Sequence, residues 1–286
     1  YKCKNLSNLN FYDYIDKDDF INIINSNKLN NDIKVIFHQG ACSSTTEWDG
    51  KYIMKNNYEY SKDILHWSQK NNIQFINASS ASVYGLGSNG FKEERISEMP
   101  INMYAFSKFQ FDQYLREFKN KSSQIVSLRY FNVYGPNESH KGEMVSMPFK
   151  FNNQIIEKGK CKLFEGNDQY NDGEQRRDFI FVDDCVDVNL WFMNNPGKSG
   201  IFNVGTGKAR TINELANIVI RWHKKENKHA EIEYIPFPDN LKGSYQNFTE
   251  SDNSKLRKIG YKKKFIDIEE GIFKYLNQIN NYKNLI

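Results

Sequence analysis

Apolar residues along this chain fall into short continuous runs separated by stretches of helical spacing. The segments 35–37, IQFINAS (73–79) and QIVSLRYFNVY (124–134) are β-branched and aromatic runs, as in strands buried on both faces. Between them, the long segment 49–71 has the apolar spacing of a helix. Alternating strands and helices of this length predict an α/β fold with a mostly parallel sheet and right-handed crossovers.

The second half of the chain alternates in the same way but carries longer polar loops. The capping pair Thr211 and Glu214 marks the start of a helix. Residues 1–10 are consistent with a polar strand. The further elements predicted are a helix over 147–158, a strand at KLFEG, a strand at DFIFV, a helix at VNLWFMNN, strands at GIFNV and EIEYI, and an amphipathic helix from Ile266 to Tyr282.

Small and polar residues follow the predicted strands of the first half. Gly40 follows the first strand, Ser79, Ser80 and Ser82 follow the second, and Asn132 lies near the end of the third. Because the carboxyl ends of parallel strands form the ligand-facing edge of an open sheet, we expect Gly40, Ser80 and Asn132 on one rim. The alternative at Gly40 is a plain turn from strand to helix.

A tyrosine and a lysine follow this serine-rich strand end. Tyr104 and Lys108 are four residues apart and therefore share a helix face. An ammonium beside a phenol favours the phenolate, which can take a proton from an alcohol, while Ser80 hydrogen-bonds the reacting oxygen. Tyr58 and Lys62 have the same spacing, so the pattern alone is weak, and a solvated pair is the alternative. Only Tyr104 follows a serine-rich strand end, and this context favours it as the catalytic residue.

Two adjacent arginines precede the apolar run DFIFV. Arg176 and Arg177 could clamp a pyrophosphate with paired hydrogen bonds. The alternative is a solvated loop in which the guanidinium groups form surface ion pairs.

The overall composition excludes several classes of protein. The 286 residues are 39% apolar, and the net charge of +4 comes from 39 bases scattered among 35 acids, without a nucleic-acid footprint. No apolar run approaches the ~18 residues of a membrane span, and the five histidines lack metal-ligand spacing. Four separated cysteines without a C-x-x-C pair indicate a reducing, cytoplasmic setting. Because the chain begins with Tyr1, we expect a fragment of a longer protein.

The order and spacing of several segments resemble one enzyme family nearly from end to end. HQGACSSTTEWDGKY, ASSASVYG, YAFSKFQFDQY, RYFNVYGPNESHKGEM, LFEG, RRDFIFV and YIPFPDNLKGSYQ are similar to the ADP-L-glycero-D-manno-heptose 6-epimerases of the extended short-chain dehydrogenase/reductase superfamily. The resemblance implies a Rossmann-like doubly wound parallel sheet, with its first βα unit and glycine-rich turn missing here, and a smaller C-terminal substrate-binding domain. It assigns 1–140 and about 174–205 to the cofactor domain, and about 141–173 and 206–286 to the substrate domain.

The same resemblance implies an activity, a cofactor and a set of site residues. These epimerases interconvert two ADP-heptoses by transient oxidation at carbon 6 with bound NADP (NAD is possible), in the cytoplasm, for the lipopolysaccharide inner core. The family is homopentameric, so a homo-oligomer is expected, without nucleic-acid or membrane partners. The implied catalytic residues are Ser80, Tyr104 and Lys141; the cofactor contacts are Lys17, Gln39, Gly40, Ala41, Cys42, Ser43, Asn56, Lys108, Val133 and Lys141; the substrate contacts are Asn132, Glu143, Lys150, Phe164, Glu165, Gly166, Asn167, Arg177 and Tyr245.

Two positions depart from that family pattern. Glu143 stands where the family has a serine, and Lys150 where it has a substrate-binding histidine. A carboxylate near a diphosphate would repel it. Two rival functions remain: a nucleotide-sugar 4-epimerase or 4,6-dehydratase, and a non-catalytic, cofactor-sensing relative. Ala81 and Ser82 replace the Asp-Glu pair that a dehydratase needs for elimination, and the intact serine, tyrosine and lysine argue against a non-catalytic protein.

Overall fold

The computed structural model of the chain describes residues 2–281, except 27, 28, 30, 31, 168, 169, 240–242 and 244. The chain forms two compact units. The chain passes from the first unit to the second after Tyr130. The first unit consists of Tyr1–Tyr130, Asp187–Asn203 and Lys255–Tyr261; the second consists of Phe131–Val186, Val204–Ser254 and Lys262–Ile286.

The first unit is built on a parallel sheet of four strands, in the order β1 (Val35–His38), β2 (Gln74–Ser80), β3 (Ile125–Tyr130) and β7 (Gly200–Val204). In β1–β2 pairing Val35 faces Gln74, and in β2–β3 pairing Ser80 faces Tyr130. Parallel pairing of these strands confirms the α/β prediction. The elements, in chain order, are α1 (Lys17–Asn25), β1 (Val35–His38), α2 (Gly50–Ile53), a π-helical segment (Met54–Glu59), α3 (Tyr60–Lys70), β2 (Gln74–Ser80), α4 (Met103–Glu117) and β3 (Ile125–Tyr130).

The second unit contains a three-stranded sheet in the order β4 (Asn132–Tyr134), β6 (Arg176–Phe181) and β8 (Ala209–Thr211). It also contains a two-stranded sheet of β5 (Lys160–Phe164) and β9 (Glu231–Ile235). Its core includes Phe151, Leu215 and Ile272, which are buried on the helices α5 (Met147–Lys158), α7 (Ile212–Lys225) and α9 (Ile268–Asn281). The elements from residue 131 onward are β4 (Asn132–Tyr134), α5 (Met147–Lys158), β5 (Lys160–Phe164), β6 (Arg176–Phe181), α6 (Val182–Met193), β7 (Gly200–Val204), β8 (Ala209–Thr211), α7 (Ile212–Lys225), β9 (Glu231–Ile235), α8 (Ser254–Lys258) and α9 (Ile268–Asn281).

The capping box predicted at the start of α7 is present. The Glu214 amide donates to the Thr211 hydroxyl at 3.0 Å, and the Thr211 amide donates to the Glu214 carboxylate at 2.8 Å. These two bonds satisfy amides that the first helical turn leaves without partners. The last helix was predicted from Ile266; it begins at Ile268 and continues through Asn281, and Tyr282 lies outside the described residues.

Two sequence predictions about strands are wrong. The segment 124–134 is two strands rather than one, because the chain leaves the parallel sheet after Tyr130. The Phe131 amide makes a last bond to that sheet, donating to the Val204 carbonyl at the end of β7 at 3.0 Å, and β4 then pairs with β6. Asn132 therefore begins a strand of another sheet and does not end a strand of the parallel sheet beside Ser80. Near the N-terminus, Lys2–Asn5 form a 3-10 helix instead of a strand.

Within the described part of the chain, none of the helices has the length and apolar character needed to cross a membrane.

Candidate active site

The first turn of α4 places Tyr104 beside the end of β2. Asn102 caps this helix, since its side-chain oxygen accepts the Ala105 amide at 2.8 Å. The Tyr104 hydroxyl hydrogen-bonds the Ser80 side chain. Ser80 also accepts the Ser82 amide at 3.2 Å, which fixes its hydroxyl at the strand end. The structure thus brings Ser80 and Tyr104 into direct contact, as their sequence context predicted.

Lys108 lies one turn further along α4 and is buried. Its ammonium donates to the Ala78 carbonyl of β2 at 2.7 Å. Burial lowers the pKa of Lys108 to about 8, while the Asp112 carboxylate acts to raise it. Burial also raises the pKa of Tyr104, and the hydrogen bond from Ser80 only partly offsets this effect. The expectation that Lys108 would favour a phenolate is therefore wrong for this structure, which favours the neutral phenol.

Beneath these residues is a buried cluster of charges that the sequence analysis did not identify. The Asp112 carboxylate accepts hydrogen bonds from Ser79 at 3.0 Å, Ser127 at 2.7 Å and the Arg129 guanidinium at 2.8 Å. Arg129 also forms an ion pair with Glu98, and all three charged side chains are fully buried. The only sequence signal was an arginine in the middle of an apolar run.

A buried asparagine holds the loop that follows β1. Asn57 lies in the π-helical segment, a distortion that often accompanies function. Its amide accepts the Cys42 N–H at 2.8 Å and donates to the Cys42 carbonyl at 2.9 Å and to Ser107 at 3.0 Å. The resemblance singled out Asn56, but that side chain donates to the Tyr52 carbonyl of its own helix at 2.8 Å.

The other residues implied as cofactor contacts of the first unit lie in two places. Gln39 accepts a hydrogen bond from Tyr130 at 3.0 Å and donates to Asn189 at 3.2 Å. Lys17 begins α1, is exposed and pairs with Asp18 at 2.7 Å. The loop residues Gly40, Ala41 and Ser43 are exposed, and Cys42 is partly buried.

This rim has donors suited to the ribose of a nicotinamide nucleotide. The ammonium of Lys108 has three N–H groups, and the Ala78 carbonyl accepts one of them. The others can donate to ribose hydroxyls. The exposed loop after β1 has small side chains, and no atom lies within 4 Å of the position a Cβ would take at Gly40, so a ligand can approach its backbone. The residues present therefore fit the ribose of such a cofactor and leave space for it at the loop after β1.

The second unit contains a cavity of about 590 Å³ that gathers most of the residues implied for the substrate. Four basic side chains line it, together with the carboxylates of Glu138 and Glu143. Glu138 is buried and already accepts hydrogen bonds from Ser146 and Tyr275. From the implied set, the cavity wall includes Asn132, Val133, Lys141, Glu143, Lys150, Phe164, Arg177 and Tyr245.

Aromatic rings form one part of this cavity. The Tyr245 ring packs against Phe164 and Phe237, with ring centroids 6.0 and 5.3 Å apart. The Arg177 guanidinium lies over the Tyr245 ring, 4.6 Å from its centroid. Among the described residues, the buried Nε of Arg177 has no hydrogen-bond partner. This side chain is thus positioned to donate to a bound anion.

The neighbouring Arg176 does not join Arg177. Both residues lie within β6 rather than before a strand, and successive side chains of a strand point to opposite faces. Arg176 is exposed and lines a different cleft with Glu214 and Arg221. The predicted clamp of two arginines is therefore wrong, and one guanidinium remains at the cavity.

Three of the implied substrate contacts, Glu165, Gly166 and Asn167, follow β5 outside the described cavity wall. The amide of Glu165 donates to the carbonyl of Ile235 at 2.8 Å, and the Asn167 side chain donates to Asn247 at 3.0 Å. The sequence reasoning missed Lys162, which does line the cavity. Its position two residues before Phe164 on one strand was the available signal, because such residues share a face.

Comparison with known proteins agrees with this geometry. Residues 2–205 match the model of the NAD dependent epimerase/dehydratase family. The chain is 52% identical over 279 residues to an ADP-L-glycero-D-manno-heptose-6-epimerase of Alkalilimnicola ehrlichii, covering 97% of this chain and 86% of the relative. It also resembles the crystal structure of the Helicobacter pylori enzyme of that name, with 30% identity, a TM-score of 0.77, and coverage of 93% of this chain and 78% of that one.

A more distant similarity concerns a different sugar epimerase. UDP-glucose 4-epimerase of Thermotoga maritima is 25% identical with a TM-score of 0.76, covering 97% of this chain and 88% of that one. The higher identity to the heptose enzymes separates the two assignments. The chain belongs to the NAD dependent epimerase/dehydratase family and, within it, to the ADP-L-glycero-D-manno-heptose 6-epimerases.

Proposed function

We propose that this chain interconverts ADP-D-glycero-D-manno-heptose and its L-glycero epimer by transient oxidation at carbon 6. The observation that carries the proposal is the hydrogen bond between Ser80 and Tyr104, with buried Lys108 one turn away on the same helix. The 52% identical relative is named for this reaction, and that name supports the choice of substrate.

The chemistry requires oxidation because the C–H bond at carbon 6 is not acidic. A bound nicotinamide would accept a hydride from carbon 6 and return it to the other face of the resulting ketone. The ketone must expose its second face before the return, which rotation about the bond to the sugar ring allows. The cofactor is regenerated in each cycle, so the reaction consumes none.

Each residue of the rim has a role in this proposal. Ser80 hydrogen-bonds the reacting oxygen, and Lys108 holds a ribose hydroxyl. Tyr104 exchanges a proton with the oxygen at carbon 6. Because its pKa is raised, Tyr104 starts as a phenol and gives its proton to the ketone oxygen as hydride returns. The proton that the C6 hydroxyl loses as hydride leaves goes to Lys141, and exchange with solvent restores both residues. Lys141, exposed in the 3-10 turn Ser139–Met144, is the second proton carrier, serving the other epimer.

The cavity of the second unit is proposed to bind the ADP portion of the substrate. The Tyr245 and Phe164 rings offer an apolar surface for adenine. The free Nε of Arg177, together with Lys150 and Lys162, supplies positive charge for the diphosphate. Because one arginine faces the cavity, the lysines must share the charge that a pair of arginines would have supplied.

Three finer points of the proposal rest on the family resemblance. NADP is the proposed cofactor in preference to NAD, the enzyme is cytoplasmic, and it assembles as a homo-oligomer. Mass spectrometry of the nucleotide released from purified enzyme tests the first. Light scattering of the same sample tests the last.

The central experiment uses substrate deuterated at carbon 6. If hydride leaves and returns within one active site, the epimeric product retains the deuterium, and turnover shows a primary isotope effect when hydride transfer limits the rate. Chromatography separates the epimers, and mass spectrometry reads the label. Loss of deuterium to solvent would instead mean proton exchange and would overturn the oxidation mechanism.

A matched pair of variants compares Tyr104 with Tyr58, the other tyrosine that precedes a lysine by four residues. Tyr58 and Lys62 share the spacing of the catalytic pair, but the Lys62 ammonium lies over the Tyr58 ring, 4.6 Å from its centroid, and pairs with Glu59. Tyr104→Phe removes the hydroxyl that exchanges the proton, so it should reduce turnover by at least ~10²-fold. Tyr58→Phe should leave it near the wild-type rate.

A further inference from the structure

The cavity of the second unit contains one ion pair that a bound anion would have to break. Lys150 lies in the first turns of α5, and its ammonium is 3.6 Å from the Glu143 carboxylate. Both residues line the cavity wall. The other cavity carboxylate, Glu138, is buried and hydrogen-bonded by Ser146 and Tyr275, so it is not available to exchange partners.

The contact between Glu143 and Lys150 is weak by its geometry. The Glu143 side chain is 99% exposed and that of Lys150 is 41% exposed. Their separation is longer than the 2.7–2.9 Å of a good charge-assisted hydrogen bond. Exposed ion pairs contribute little, because water screens them and the side chains lose freedom. Lys150 can therefore change partners at small cost.

The surroundings of Lys150 favour a second negative partner. The N-terminus of a helix attracts anions, yet the first turn of α5 has no acidic side chain. Lys141 and Lys162 also line the cavity, and the buried Nε of Arg177 has no partner among the described residues. These groups are cationic, and Glu143 is the exposed carboxylate among them.

We propose that Glu143 is a built-in competitor for the diphosphate of the substrate: its carboxylate pairs with Lys150 in the empty cavity and must yield that lysine when the ligand binds. The inference rests on the proposed function in taking the ligand to be a nucleoside diphosphate sugar. Glu143 thereby weakens substrate and product binding alike, and Lys150 is the group through which it acts.

The test measures binding of two probes, inorganic pyrophosphate and ADP, by calorimetry at low salt. Glu143→Gln should tighten both by about two- to fivefold, the range of one exposed ion pair. Lys150→Met should weaken both. In the Lys150→Met background, Glu143→Gln should change affinity little, because the two residues act as a pair. The gain from Glu143→Gln should shrink in 0.5 M salt through screening.

A control variant addresses general charge effects. Glu231 pairs with Lys160 at 3.4 Å, with 57% and 43% of the side chains exposed, and neither residue belongs to the described cavity wall. Glu231→Gln changes net charge as Glu143→Gln does, and it should leave both affinities unchanged.

Three results would overturn the inference. They are wild-type affinity in Glu143→Gln, equal tightening with and without Lys150, and binding of neither probe by the wild-type protein. If Glu143→Gln tightened probe binding equally with and without Lys150, Glu143 would act by repelling the bound anion directly. The proposed function fails separately: if ADP-heptose is not epimerised but Glu143→Gln still tightens pyrophosphate through Lys150, the competitor role stands and the assigned reaction does not.

Discussion

The buried charge cluster beneath the catalytic helix predicts a large effect from a small change. Asp112→Asn keeps the shape of the side chain and removes its charge. The Asp112 carboxylate pairs with Arg129 at 2.8 Å and accepts from Ser79 and Ser127, and neither charged side chain is exposed. Removing one member of a buried ion pair costs about 3–5 kcal/mol, since the other charge stays buried without compensation. Arg129 keeps Glu98 as a partner, so we expect the lower end, ~3 kcal/mol.

The control is an ion pair of similar length in the same unit. Lys62 and Glu59 are 2.7 Å apart, with 23% and 54% of their side chains exposed. Glu59→Gln should cost less than ~1 kcal/mol, because water already screens this pair. The two variants therefore remove charges at nearly equal contact distances but in different environments.

Hydrogen exchange of amides in α4 and β3 gives the free energy of opening for the first unit by itself. We expect those amides to lose protection in Asp112→Asn and to keep it in Glu59→Gln. The double variant Asp112→Leu with Arg129→Met should lose less stability than its two single variants lose in sum, because it leaves neither charge of this pair buried without its partner. Equal protection in Asp112→Asn and Glu59→Gln would refute the argument that burial sets the cost.

Three further predictions concern activity and cofactor binding. Lys141→Met and Tyr104→Phe should each lower the rate of epimerisation by at least ~10²-fold. The double variant should be little slower than either single variant, because the effects of residues that act as a unit are not additive. Turnover near the wild-type rate in Lys141→Met would remove Lys141 from the mechanism. Lys108 is charged below its pKa of about 8, so the affinity for NADPH, followed by fluorescence, should fall as the pH rises through 8. The Asp112 carboxylate acts to raise the pKa of Lys108, so Asp112→Asn should move this loss of affinity to lower pH. Asn57→Ala removes three hydrogen bonds that hold the loop after β1 and should weaken NADPH binding by ~10-fold, with the far-UV circular dichroism spectrum unchanged.

Local pattern was enough to locate the Ser80 and Tyr104 pair. The apolar run before Ser80 identified a strand, the spacing after Asn102 identified a helix, and parallel strands present their carboxyl ends at a common rim. These inferences need only the chain's neighbouring residues. The capping box at Thr211 and the helix bounds Met147–Lys158 were predictable for the same reason.

Contacts between distant residues were beyond the reach of that reasoning. Glu143 and Lys150 were noticed one at a time, and only the fold brings their side chains to 3.6 Å. Arg176 and Arg177 are adjacent in sequence, yet the strand turns them to opposite faces.

Periodicity and motif spacing are local properties, and they were enough to predict the parallel sheet, the family and the proximity of Ser80 and Tyr104. The direction in which the pKa of Tyr104 shifts depends instead on the packing around it. Desolvation raises the pKa of Tyr104, the hydrogen bond with Ser80 only partly offsets this, and the Lys108 ammonium donates to the Ala78 carbonyl. Burial and hydrogen-bond partners set a pKa, and both depend on which distant segments pack around the group.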